Sequence, residues 1–242
     1  MSIAQALVPL KDLVQAKTRL AGLLRPSERR ALAQAMVEDV LAVLSQHPRV
    51  GRVTLVSDDP CAGLLAGKYQ IDCWSEESLG CRGLNAVVQR ASERLLAASE
   101  APLLVLHGDL PLLTAADISA VLDCQRQLGG LVIACDLQGT GTNLLAFERD
   151  SFPQFCFGSD SCAAHLAAAR RAGTPVQILR RAGIATDVDD VQDLAVLMDA
   201  LDRDSAGETA GLLYATGLGA RIGLALATLG GGSTLTDEGK AG

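Results

Sequence analysis

Short apolar runs at residues 3–9, 52–57, 103–107, 131–136, 143–147 and 176–179 alternate with longer segments whose apolar positions recur every three or four residues. The short runs, several bounded by Gly, Pro or Asp, read as strands buried on both faces. The clearest longer segment is 27–46, where Leu32, Met36, Val40, Val43 and Leu44 form a helical stripe and Glu28, Arg29, Arg30, Glu38 and Asp39 supply the polar face. Segments 84–99, 115–128, 161–172 and 191–201 repeat that pattern. Parallel neighbours need helix-length crossovers, so the alternation predicts a three-layer α/β domain on a mainly parallel mixed sheet, spanning residues 1–204. From 205 to 242 glycine recurs and large side chains almost vanish, which predicts a flexible tail, with 221–229 the part closest to a helical pattern.

Composition narrows the function. The chain has 242 residues, 49% hydrophobic and 20% charged, enough for an ordinary core and incompatible with disorder. Aromatics make up 3% and the formal charge is −7, so nucleic acid is not an expected partner. An acidic chain that binds an anion must do so through a local set of Lys, Arg and backbone N–H groups, or through a metal ion. The seven cysteines, Cys61, Cys73, Cys81, Cys124, Cys135, Cys156 and Cys162, form an odd set without a C-x-x-C pair and read as reduced, mostly packed thiols. The run 1–8 has no basic leader or cleavage site, and no segment approaches the roughly 20 apolar residues of a membrane span. A cytoplasmic protein with no membrane partner is expected.

Ligands of open α/β sheets gather beyond the carboxyl ends of the strands, so polar residues directly after a predicted strand carry the most weight. After the first, Lys11, Lys17 and Arg19 place three cations on one stretch, the composition a triphosphate tail needs. A solvated basic loop is the plainer alternative, and the lack of G-x-x-x-x-G-K-[ST] excludes a P-loop ATPase. Asp109 follows the strand at 103–107 and precedes Leu-Pro, where a carboxylate can hold a divalent cation or simply cap a turn. In Thr186-Asp187-Val188-Asp189-Asp190, positions two apart share a face, so Asp187 and Asp189 can converge on one cation while Asp190 caps the following helix. The fourth place pairs Gly139-Thr140-Gly141-Thr142-Asn143 with Phe157-Gly158-Ser159-Asp160-Ser161. Small residues there let an anion reach the backbone, and Ser161 opens a helix, although a hairpin loop and a plain cap account for the same residues.

Together with Gly83-Leu84-Asn85-Ala86, and in this order from about residue 3 to 202, these motifs resemble the phospho-hydroxyacid guanylyltransferases of coenzyme F420 biosynthesis. The resemblance implies a nucleotidyltransferase fold of the nucleotide-diphospho-sugar transferase type. It implies transfer of GMP from GTP to the phosphate of 2-phospho-L-lactate, phosphoenolpyruvate or 3-phospho-D-glycerate, with Mg²⁺ as cofactor. It places the metal on Asp109, Asp187 and Asp189 and the phosphate-contacting and catalytic lysine at Lys17. It places the acceptor on Thr142, Gly158 and Ser161, and nucleotide contacts at Gly83 and Asn85, beside Lys11 and Arg19. Catalysis by Lys17, Asp109 and Asp189 would then rest on positioning and charge neutralisation, so the lack of an evident catalytic His or Cys is consistent with it. This chain departs from the family pattern at His107-Gly108, where Pro-Ala is usual, and at Asp190-Val191, where Thr-Pro is usual; neither change removes a proposed ligand.

Other nucleotidyltransferases of the same fold, acting on molybdopterin or sugar phosphates, usually carry a Gly-rich loop with an Arg after the first strand, and Pro9-Leu10-Lys11-Asp12-Leu13 lacks glycine. A non-catalytic nucleotide sensor would have no need to keep all three acids and Lys17. The candidate acceptors share a phosphate and a carboxylate, so the sequence favours phosphoenolpyruvate or 3-phosphoglycerate only on overall style.

Overall fold

In the computed structural model, which describes residues 3–13 and 16–231, seven strands form one sheet. They are β1 (Ala4–Pro9), β2 (Val50–Val56), β3 (Asp72–Trp74), β4 (Leu103–Leu106), β5 (Leu131–Cys135), β6 (Thr142–Phe147) and β7 (Val176–Leu179), in the order β3-β2-β1-β4-β6-β5-β7. All run parallel except β6, which pairs antiparallel with both β4 and β5. The mainly parallel mixed sheet expected from the alternation is the one observed, and the exception has a local cause. Strands β5 and β6 are joined by the short turn 136–141 rather than by a crossover helix.

Strand residues at alternate positions feed two separate cores. Ala4, Ala6 and Val8 of β1, with Leu104 and Leu106 of β4, pack under α1 (Pro26–Gln46), α2 (Ala62–Tyr69) and α5 (Ala115–Leu128), through side chains such as Val37, Leu41, Leu65 and Val121. Leu7, Leu103, Val105, Ile133 and Phe147 face the other way, toward α4 (Leu84–Ala98) and α6 (Ser161–Arg171), meeting Val88, Leu95 and Ala169. The observed ends of these elements differ from those expected by one or two residues, within ordinary boundary scatter. The short elements α2, β3, α3 (Glu76–Leu79) and α7 (Ala182–Ala185) were not anticipated. Apart from the eight-residue α2, these span three or four residues, too few to carry a readable period.

Two expectations are corrected here. Cys135 at the end of β5 and Cys162 in the first turn of α6 form a disulfide, their Cα atoms 6.1 Å apart. They lie 27 residues apart in sequence, and only the packing of α6 on β5 brings them together. The other five cysteines are free thiols, as expected. On loop-closure entropy, reduction should cost about 3–4 kcal/mol. A lower urea midpoint in dithiothreitol, and no response in the Cys135→Ala, Cys162→Ala double variant, is the expected result.

The stretch read as a flexible tail folds, up to Gly231, into α9 (Glu208–Ala215) and α10 (Leu218–Gly231), which follow α8 (Val191–Ala200); residues 232–242 lie outside the described residues. Glycine weakens a helix by propensity, but burial overrides it. Leu213, Leu218 and Ile222 join Leu20, Leu24, Leu32, Met36, Leu194 and Leu197 in a third core beside α1. The Asp39 carboxylate of α1 accepts the backbone N–H groups of Glu208 (2.6 Å) and Thr209 (3.0 Å), capping α9 from a distant part of the chain. No single described helix is long and apolar enough to cross a membrane.

Candidate active site

The loops leaving the carboxyl ends of β1 and β4 enclose a cavity of about 560 Å³, lined among others by Lys11, Lys17, Leu84, His107, Asp109 and Asp189. Lys17 precedes the 3₁₀ turn Thr18–Leu20 with its backbone in the left-handed region, φ 53° and ψ 43°, a conformation that costs energy in a residue with a side chain. The cost places its ammonium group between two acids: Nζ donates to Asp109 Oδ2 at 2.5 Å and to Asp189 Oδ1 at 2.9 Å. Burial alone would push the lysine down, but the two carboxylates outweigh it and hold it above its usual value. For Asp109 burial works upward and the Lys17 charge outweighs it, leaving the carboxyl below its usual range.

Each acid is delivered by a distinct local device. Asp109 follows β4 across Gly108, where a Cβ would fall 2.8 Å from Val37 of α1, so this crossing tolerates little bulk. In the run 186–190, Val188 is fully buried in the third core, which turns Asp187 and Asp189 outward as the two-residue spacing predicts. Asp190 caps α8 by accepting from the N–H groups of Gln192 and Asp193, also as expected. Asp187 accepts from Asn143 Nδ2 at 3.0 Å. Burial, with Asp109 and Asp189 nearby, pushes its carboxyl up to about 6 against that hydrogen bond.

The three acids lie close enough to raise Asp187, and they offer only hard oxygen donors, the chemistry a divalent cation such as Mg²⁺ requires. The donor set therefore fits such an ion. Among the described residues no group of three His, Cys, Asp or Glu side chains is arranged as a ready metal cage. The ammonium of Lys17 stands between Asp109 and Asp189, where it supplies positive charge itself.

Of the residues expected to hold the acceptor, Thr142 and Ser161 meet on the far side of β4 from β1. Thr140 N–H, Thr140 Oγ1 and Gly141 N–H all donate to the Asp136 carboxylate, so the Gly-Thr-Gly-Thr stretch is the β5–β6 hairpin turn, one of its two readings. A Cβ at Gly141 would sit 2.7 Å from Asp136 Oδ2, which reserves that position for glycine. Thr142 N–H donates to Ser161 Oγ at 2.9 Å, locking the start of β6 to the first residue of α6. Gly158, at φ 141°, lies in the exposed loop leading to α6.

Not every expected residue joins the cavity. Arg19 is exposed in the 3₁₀ turn and is absent from the cavity lining. Gly83 begins α4, beside Leu84, which does line it. The Asn85 carboxamide accepts from Phe157 N–H at 2.7 Å and donates to Phe157 O at 3.0 Å, so it clamps the loop that carries Gly158. Two contributors, Asp59 and His165, were missed, and Asn143 was read only as the end of the 139–143 stretch. Asp59 accepts from Leu13 N–H and Cys61 N–H, tying the loop after β1 to that after β2; its place just after a strand was the available signal. Asn143 spans Ile184 O and Asp187, and His165 contacts Thr142. Both sit within otherwise apolar elements, a signal that reads equally as core polarity.

Residues 4–206 match the family described as Guanylyl transferase CofC like. The chain is 36% identical over 191 residues to a phosphoenolpyruvate guanylyltransferase of Chloroflexus aggregans, covering 77% of this chain and 93% of the relative. It is 32% identical over 193 residues to a 2-phospho-L-lactate guanylyltransferase of Methanothermobacter thermautotrophicus, covering 80% and 83%. Among solved structures, one from Desulfovibrio desulfuricans, assigned as a nucleotide-diphospho-sugar transferase, superposes with a TM-score of 0.77 at 21% identity, covering 93% of this chain and 98% of that one. That likeness establishes the nucleotidyltransferase-type fold.

Proposed function

Because the chain belongs to the CofC-like guanylyl transferase family of nucleotidyltransferases, we propose that it transfers GMP from GTP to the phosphate of phosphoenolpyruvate or 3-phospho-D-glycerate, releasing pyrophosphate, in coenzyme F420 biosynthesis. The observation that carries this reading is the buried Lys17 ammonium held between Asp109 and Asp189 at the mouth of β1 and β4. An oxygen of the acceptor phosphate attacks the α-phosphorus of GTP, the new P–O bond forms, and the bond to the departing pyrophosphate breaks in line. Both reactants are anions, so the principal task of the protein is to hold them together. Lys17, with Lys11 on the same cavity wall, neutralises the triphosphate, while Thr142, Gly158 and Ser161 orient the acceptor on the β6 side. The acceptor phosphate is ionised near neutral pH and needs no general base. Asp109, Asp187 and Asp189 would hold Mg²⁺, which supplies further neutralisation of phosphate charge when bound. Gly83 and Asn85 act at the nucleotide side, and Asn85 also clamps residue 157 of the loop that carries Gly158.

Pyrophosphate release from GTP, with phosphoenolpyruvate, 3-phospho-D-glycerate and 2-phospho-L-lactate offered separately, tests the reading. Release with one of the first two, abolished by excess EDTA and restored by Mg²⁺, is the expected result. Release with 2-phospho-L-lactate alone would move the acceptor to the compound named for the Methanothermobacter relative. Release with none would overturn the transfer to these acids, and release that persists in EDTA would remove the metal.

A further inference from the structure

Thr142 and Ser161 are buried against each other, and a third side chain, His165 of α6, completes the contact from below. The two nitrogens of His165 face different partners. Nε2 accepts the backbone N–H of Cys156 at 2.8 Å, and Nδ1 lies 3.0 Å from Thr142 Oγ1. A backbone N–H only donates, so Nε2 carries no proton, and a neutral imidazole must then carry its proton on Nδ1. Burial keeps the ring neutral: desolvation pushes it down to about 4, opposed in part by the Ser161 carbonyl. The protonated Nδ1, which faces both Thr142 Oγ1 and the Ser161 carbonyl, cannot accept from Thr142, and the hydroxyl is left to donate its own proton elsewhere. Among the described residues no oxygen accepts it. A donor without an acceptor in a buried setting is costly, and a ligand oxygen removes that cost.

We propose that His165 is a positioning residue that converts the Thr142 hydroxyl into an obligate donor for an anionic oxygen of the acceptor phospho-acid. The assignment of the acceptor rests on the guanylyl-transfer reading; the tautomer does not. The pair is continuous with the site. Asn143, next along β6, donates to Asp187 and accepts from the N–H of His107, and the Phe157 ring meets both His107 (5.3 Å) and His165 (5.0 Å) edge-on. A donor fixed in this sense selects a deprotonated oxygen and discriminates against an acceptor presenting an N–H or a protonated carboxyl at that point.

His165→Phe keeps the ring contact with Phe157 and removes both hydrogen bonds. The expected result is a KM for the phospho-acid raised about tenfold or more, with the KM for GTP nearly unchanged. His165→Gln, which retains one donor and one acceptor, should recover much of the loss. Thr142→Val should show a similar rise, and the double variant little more than either alone, since both remove one coupled device. KM values for GTP and acceptor rising together, or losses that multiply, would overturn the proposal. Independently of any variant folding, ¹⁵N NMR of the imidazole in the unaltered full chain should show Nδ1 protonated and Nε2 unprotonated. An Nε2–H tautomer, or a titration at the ordinary 6.5, would also overturn it. Failure of the unaltered protein to turn over any of the acids would instead count against the guanylyl-transfer reading, with the tautomer decided separately by the NMR.

Discussion

Replacing Lys17 with methionine should lower guanylyl transfer by about a thousandfold or more, a loss of the size seen when a preorganised charge-stabilising donor is removed. Methionine approximates the length of the side chain and its apolar stem, so the change isolates the ammonium charge. In the intact protein that charge faces Asp109 at 2.5 Å and Asp189 at 2.9 Å. Without it, two carboxylates and the raised Asp187 are left to confront an incoming triphosphate with only Lys11 as a cation on the cavity wall. The effect should fall on kcat and on the KM for GTP together, because Lys17 serves the nucleotide whether or not the acceptor is bound. Steady-state rates with GTP and acceptor varied in turn provide the check. A Lys17→Met protein with turnover within tenfold of the unaltered chain would remove Lys17 from the reaction and leave it a structural counterion for Asp109 and Asp189. Lys17→Arg offers a second reading of the same site. It restores charge but not the compact ammonium that fits between two carboxylates, and should recover only part of the rate.

The fold was legible because each large element carries a strong period. Alternate strand residues such as Ala6 and Leu7 part cleanly between the two cores, and the stripe of α1 points into both the first and third. The three acids were legible for a related reason. They follow apolar runs, and Val188 between Asp187 and Asp189 is buried as the alternation requires. What could not be read was partnership across the chain. Nothing in the sequence says that Lys17 lies between Asp109 and Asp189, 92 and 172 residues away. Nor does it pair Cys135 with Cys162, or show that Asn85 clamps Phe157 across 72 residues. Such contacts depend on which crossover lands where, and local pattern is silent on that. The failure at 205 onward has a different origin. Glycine there lowered the helical signal, while the burial that stabilises α9 and α10 is supplied by α1 and the 18–24 turn rather than by the segment itself.

Those two helices carry the second large prediction. The family match ends at residue 206, yet Leu213, Leu218 and Ile222 beyond it are buried against Leu20, Leu24, Leu32 and Met36. Ending the chain after residue 206 would expose both sides of that contact. Burial of a single such side chain contributes about 1.5–3 kcal/mol, so the loss should exceed about 5 kcal/mol and lower the thermal midpoint by roughly 10 °C or more. The polar attachments would go with it: Asp39 would lose the N–H groups it caps, and Lys68, which bridges Glu38 and Glu208, would lose one partner. Leu213→Ala, a milder test at a fully buried position, should cost about 3 kcal/mol. The damage should also reach the chemistry. Leu20 and Leu24 anchor the turn that follows Lys17, so releasing them loosens the strained backbone that presents its ammonium group to Asp109. The truncated chain is thus expected to lose activity at temperatures well below its unfolding midpoint, whereas Leu213→Ala should lose stability first. Calorimetric unfolding alongside initial rates over the same temperatures separates the two. An unchanged midpoint after truncation would mean that the third core closes without its C-terminal half, and that the turn carrying Lys17 is held from the β1 side alone, through Leu13 and Asp59.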